Sequence, residues 1–192
     1  MRSFLIASLV CGVAVPALAA SLSETLPTCL ACHGENGRSE TPEVPSLGAQ
    51  PAPFVLIQLY QFRERQRIAE PMNEMAKDLT DDDLREFSEA IAKLPPPPPA
   101  TEAPDPSRMA RGQELSAKHR CGFCHNPDFS GHDQIPRIGD QREDYLTKTL
   151  SEYKSGARQG YDPSMAEVAQ GIGDTEITDL AYFLANWRSG TR

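Results

Sequence analysis

Apolar side chains in this chain recur at helical spacing. Within residues 54–67, Phe54, Ile57 (with Leu56), Leu59 and Phe62 follow one another at mixed three- and four-residue intervals, which lines one face of a helix. Leu84, Phe87 and Ile91 repeat the pattern, with Thr80 or Asp81 placed to cap the segment and prolines just beyond it. A third segment carries Ile177, Leu180, Tyr182, Phe183 and Leu184, with Asp174 as its cap. Residues 34–45 and 126–136 are polar and rich in glycine or proline, which reads as loop. No stretch sustains the two-residue alternation of a strand. The predicted class is all-α.

A run of five prolines, residues 95–99, begins a spacer that continues to Pro106. Proline-rich segments of this kind are semi-rigid and extended. The spacer divides the chain into residues 20–94 and 107–192, and these two parts repeat each other. Pro45-Ser46-Leu47-Gly48-Ala49-Gln50 matches Pro136-Arg137-Ile138-Gly139-Asp140-Gln141. Phe54, Leu59, Phe62 and Arg67 match Tyr145, Leu150, Tyr153 and Arg158; Met72, Ala76, Leu79 and Asp81 match Met165, Ala169, Ile172 and Asp174. One fold used twice is the expectation.

The chemistry is duplicated as well. Cys29-Leu30-Ala31-Cys32-His33 is answered by Cys121-Gly122-Phe123-Cys124-His125. Two cysteines three apart with a histidine directly after them form the pattern for covalent attachment of c-type haem. Each thiol adds to one vinyl group, and the adjacent imidazole of His33 or His125 is placed beneath the iron as proximal ligand. A thioredoxin-like redox pair does not require the histidine, and no βαβ pattern surrounds either copy. A zinc site would need both clusters to join across roughly ninety residues. Two covalently bound haem c groups are therefore expected. Units this small bury little apolar surface unaided, so a haem in each would supply the missing core and the apoprotein is expected to fold poorly.

Composition places the chain outside the cytoplasm. Residues 1–19 read as a cleaved signal peptide: Arg2, an apolar run over residues 4–15, and Ala17-Leu18-Ala19 as the cleavage site. The alternative is an uncleaved anchor. Four of the five cysteines belong to the haem pattern and Cys11 lies in the signal segment, which leaves none for a disulfide. The formal charge is −8, and removing Arg2 gives 18 − 27 = −9 for the remainder. Such a surface disfavours nucleic acid and anionic lipid, allowing at most peripheral membrane association. It favours a redox protein with a basic docking face, such as a terminal oxidase or a dehydrogenase.

The order CxxCH, P-x-[LI]-G-x-Q, helix, lone methionine, and D-x-[DE]-[LI] opening a last helix resembles class I cytochromes c. Two such units in tandem, with Pro-Ser-Leu-Gly-Ala-Gln-Pro-Ala-Pro-Phe in the first, resemble the cytochrome c4 family of dihaem electron carriers across nearly all of residues 20–192. The resemblance implies two class I cytochrome c domains joined by the Pro-rich linker, electron transfer in the periplasm, and His/Met ligation at both irons. Met72 and Met165 are the candidate sixth ligands; Met75 competes with Met72, its other reading being a core contact, and Met109 reads as core. The resemblance also implies that the carbonyls of Pro45 and Pro136 accept the proximal histidines' N–H. Arg67, Arg137 and Arg158 are either propionate partners or surface residues, and His119 and His132 are expected at the surface. The first unit has only nine residues, 20–28, before Cys29, and Glu89 where the second has Tyr182. Either an open edge along its last helix or an edge that meets another protein is expected. Three functions compete: a soluble dihaem carrier, a haem subunit bound to a dehydrogenase or oxidase, and a dihaem peroxidase, the last disfavoured by the paired methionines.

Overall fold

The computed structural model describes residues 22–187, so the signal segment expected at residues 1–19 lies outside the described residues. Among the described residues the chain is helical, with a single isolated bridge between His132 and Ile135 in place of any strand. The first half contains α1 (Leu22–His33), α2 (Ala52–Arg63), α3 (Met72–Ala76) and α4 (Asp81–Ala92). The second contains α5 (Pro106–Lys118), α6 (Cys121–Cys124), α7 (Glu143–Ser155), α8 (Ser164–Gln170) and α9 (Asp174–Ala185). Residues 95–105 form the irregular passage between them. The segment is not free of the body: Pro97 is buried, and the Ala49 N–H donates to the Leu94 carbonyl at 3.0 Å.

Local chemistry sets the helix ends. Thr80 caps α4 with Asp83 answering as a reciprocal capping box, and Asp81, Asp82 and Asp83 sit against the positive end of the dipole. Asp105 caps α5, whose first residue is Pro106, where a missing N–H costs nothing. Two expected boundaries move. The periodic stretch over residues 54–67 is helical only to Arg63, because Glu64–Arg67 turn away under backbone bonds from Gln66 and Arg67 N–H to the Gln61 carbonyl. Asp174 is the first residue of α9 rather than its cap; Gly173 holds that place, and the Glu176 side chain accepts its N–H at 2.9 Å.

Helix α9 is the spine of the second half. Its buried face (Ile177, Leu180, Ala181, Phe183, Leu184) packs on α5 and α7. Phe129, Phe183 and Trp187 meet edge to face, with centroids 4.8–5.8 Å apart. Close approach of α5 to α9 is made by Gly112: a Cβ there would lie 2.3 Å from Phe183 Cβ and 2.5 Å from the Asp179 carbonyl oxygen. Tyr182 seals the top, its hydroxyl accepting the Asp105 N–H at 2.7 Å while the Arg108 guanidinium lies 3.8 Å over its ring. In the first half α1 runs straight into its own cysteine pattern and touches α4 over a much shorter length, and Glu89 on α4 is exposed. Among the described residues, that edge of α4 is open at Glu89.

Candidate haem sites

Each histidine is built into its site by a short chain of local constraints. Cys29, Cys32 and His33 occupy the last turn of α1, whereas Cys121 and Cys124 span the single turn α6 with His125 directly after it. His33 and His125 are both buried. The Nδ1–H of His33 donates to the Pro45 carbonyl at 2.8 Å, and that of His125 donates to the Pro136 carbonyl at 2.8 Å. A carbonyl can only accept, so the Nδ1 proton is fixed and Nε2 keeps its lone pair. Burial pushes both imidazoles below their ordinary pKa, partly offset by those carbonyls, which keeps them neutral. Burial also raises the thiols of Cys29 and Cys121.

The four cysteines are free of disulfides. Among the described residues no three His, Cys, Asp or Glu side chains gather as a set able to hold a metal ion. The residues present do fit a haem. Neutral imidazoles with a free Nε2 stand beside paired thiols, one of each pair half-buried and one exposed. Cys121 packs against both apolar clusters of the second half, and Met165 packs against the one formed by Leu150, Ile172, Ile177 and Leu180. A thiol and a thioether thus border one apolar core.

In the first half Met72 is half-buried at the start of α3, while Met75 is 42% exposed and so is not the core contact that was expected. Asn73, which sequence reasoning passed over, fixes this turn. Its side chain is buried, donates to the carbonyls of Phe62 and Arg67 at 2.9 and 2.7 Å, and accepts the Ala69 N–H at 2.7 Å. The only sequence signal was an amide beside a candidate ligand. Met109 packs against the Phe129 cluster, as read from sequence.

The remaining charged candidates divide. Arg158 is only 5% exposed, and Arg67 is half-buried. Both reach the Tyr145 hydroxyl (3.2 and 3.5 Å) and the Gln58 side-chain oxygen Oε1 (3.2 and 2.6 Å), bridging the two halves. Burial raises the Tyr145 phenol, and the two guanidiniums overcome this and bring it down to about 7. Among the described residues no carboxylate is a hydrogen-bond partner of these two cations, an environment that suits an incoming carboxylate such as a propionate. Arg137 instead pairs with Asp140 at 3.0 Å. His132 lies at the surface beside Asp133. His119 does not; its side chain is 11% exposed and meets Glu176 at 3.3 Å, because α5 ends against the start of α9.

A sequence model of the cytochrome c family matches residues 109–187. The cytochrome c4 of Thiocapsa roseopersicina is 32% identical over 168 residues, which cover 81% of this chain and 85% of that protein. A protein named thiosulfate dehydrogenase electron acceptor, from Thiomonas intermedia, is 27% identical over 183 residues, covering 90% of this chain and 84% of its own. Among solved structures, reduced recombinant cytochrome c4 from Pseudomonas stutzeri superposes with a TM-score of 0.76 at 24% identity, covering 85% of this chain and 95% of that one.

Proposed function

Since this chain belongs to the cytochrome c4 family, and is accordingly an electron-transfer protein with covalently bound haem c rather than an enzyme, we propose that it shuttles single electrons between redox proteins in the periplasm through two His/Met-ligated haems. The observation that carries the reading is the duplicated pair of bonds from His33 to Pro45 and from His125 to Pro136, each directly after a CxxCH pattern. In this reading residues 20–94 and 107–192 are two cytochrome domains on either side of the 95–106 linker. Cys29 with Cys32, and Cys121 with Cys124, form the thioethers. His33 and His125 are the proximal ligands, and Met72 and Met165 the distal ones.

The haem iron supplies the one-electron couple. The chain's part is to hold the imidazole tautomer through Nδ1, to offer a soft thioether that favours the ferrous state, and to surround both with apolar side chains that limit solvent reorganisation. Paired methionines leave no open coordination position for substrate. Export is supported by the signal-like residues 1–19, and no helix among the described residues is long and apolar enough to cross a membrane. A second reading is supported by the name of the Thiomonas intermedia relative: this chain accepts electrons from a dehydrogenase as its bound haem subunit. Co-purification of native protein separates the two.

Mass spectrometry of exported protein should give the chain from residue 20 plus two haems; one haem or none would sink the proposal. Met165→Ala should abolish the near-infrared methionine–iron band of one haem only and lower its potential. Met72→Ala should do the same to the other haem, whereas Met75→Ala should leave both unchanged.

A further inference from the structure

The two halves are joined by a reciprocal pair of glutamines. Gln141 is buried, and its side-chain Oε1 accepts the Ser46 N–H at 2.8 Å while its Nε2 donates to the Ser46 carbonyl at 2.8 Å. Gln50 is equally buried and does the same to Arg137, accepting its N–H at 3.0 Å and donating to its carbonyl at 2.9 Å. Gln50 and Gln141 occupy matching places in the two P-x-[LI]-G-x-Q stretches, as do Ser46 and Arg137. Each glutamine follows a residue in left-handed conformation, Ala49 at φ 52° and Asp140 at φ 57°, which turns the next side chain out of its own half.

The peptide unit that each glutamine holds is the one that holds the other half's histidine. The carbonyl of the Pro45–Ser46 peptide accepts from His33, and the N–H of that same peptide donates to Gln141. The Pro136–Arg137 peptide likewise accepts from His125 and donates to Gln50. An amide whose N–H is engaged is polarised, and its oxygen becomes a stronger acceptor. A stronger acceptor draws the Nδ1 proton away from the ring and makes Nε2 a more basic ligand, which favours the ferric state.

We propose that Gln50 and Gln141 are positioning residues acting in trans: Gln141 lowers the reduction potential of the haem held by His33, and Gln50 lowers that of the haem held by His125. The arrangement also gives each haem a direct mechanical line to the other half. A change in the strength of the His33 bond reaches Gln141 through one peptide unit, and Gln141 stands three residues after Ile138 in the loop whose Pro136 serves His125. The two proximal bonds therefore respond to each other.

This rests on the proposed haem attachment and on His33 and His125 as proximal ligands. If attachment fails, the protein's mass will lack two haems; if the proximal ligation fails, the haem spectrum of the parent protein will show it before any variant is measured. The test is potentiometric titration of the full-length dihaem protein, with the haems distinguished by their NMR methyl resonances, for Gln141→Met and Gln50→Met. Gln141→Met should raise the potential of the first haem and Gln50→Met that of the second. Faster exchange of the corresponding histidine Nδ1 proton should accompany each change. Should a methionine variant lose its fold, Gln141→Asn and Gln50→Asn keep a polar amide on a shorter reach and should give smaller shifts with the same crossed assignment. A shift confined to the haem of the mutated half, equal shifts in both haems, or no shift would each overturn the proposal.

Discussion

A histidine proton pinned to a carbonyl and a methionine set by a buried amide show how little a single side chain here decides alone. Met72 and Met75 differ by one turn, yet Asn73 between them fastens the backbone to Phe62, Ala69 and Arg67, which leaves Met72 half-buried and Met75 exposed. Sequence matching to Met165 favours Met72 but carries nothing about this difference in exposure, since the partners of Asn73 are backbone atoms and carry no residue signature. Glu176 works in the same way at a helix end. Its carboxyl is brought down to about 2, first by the Lys118 ammonium, then by the Gly173 N–H and by His119, against burial. A carboxyl whose pKa is depressed on folding stabilises the fold fully above its unfolded value near 4.5 and stops doing so as pH falls toward 2. Thermal melts of Glu176→Gln should therefore lie below those of the parent at pH 7, with the gap closing between about pH 4.5 and 2. A gap that ignored pH would mean that packing, and not charge, is what Glu176 contributes.

Among the helices, the contrast between α1 and α5 was legible in advance from chain length before the cysteines and from Glu89 against Tyr182. Those are differences in composition, and composition survives in a sequence. The ends of α2 and α9 were not, because a helix stops where backbone groups find other partners: Gln61 for the 64–67 turn, Glu176 for Gly173. The closeness of α5 to α9 rests on one missing methyl group. In Gly112→Ala the added Cβ meets the Phe183 Cβ and the Asp179 carbonyl, neither of which can swing aside. Overpacking of this kind costs about 1–3 kcal/mol, and the better helix propensity of alanine returns at most about 1 kcal/mol. Denaturant unfolding should show net destabilisation; an unchanged midpoint would show that the two helices can slide apart at no cost.

At the scale of the whole molecule the two halves differ most in charge. Residues 20–94 carry 7 Lys and Arg against 13 Asp and Glu, 7 − 13 = −6; residues 107–192 carry 11 against 12, 11 − 12 = −1. Attraction of a basic partner should therefore concentrate on the first half and weaken with salt. Neutralising the exposed pair Glu86→Gln and Glu89→Gln should slow association with a basic redox protein more than Glu114→Gln with Glu167→Gln, and the difference should fade at high ionic strength. Equal effects would mean that the partner reads total charge alone. The duplicated fold could be read from matching residues, but the way the copies face each other could not. That relation is written in Gln50, Gln141, Gln58 and Tyr145, polar residues whose partners in the other half lie 78 to 100 positions away. The described interface is also rich in hydrogen bonds, with the Lys148–Glu43 ion pair beside them at 2.7 Å, and polar contacts of this kind hold weakly between separate bodies. The passage over residues 95–105, laid against the turn that carries Gln50, makes the pairing intramolecular and lends it an effective concentration on the order of millimolar. Cut that passage, and the two halves become subject to dilution: each would lose, along with its neighbour, the glutamine that sets its own histidine.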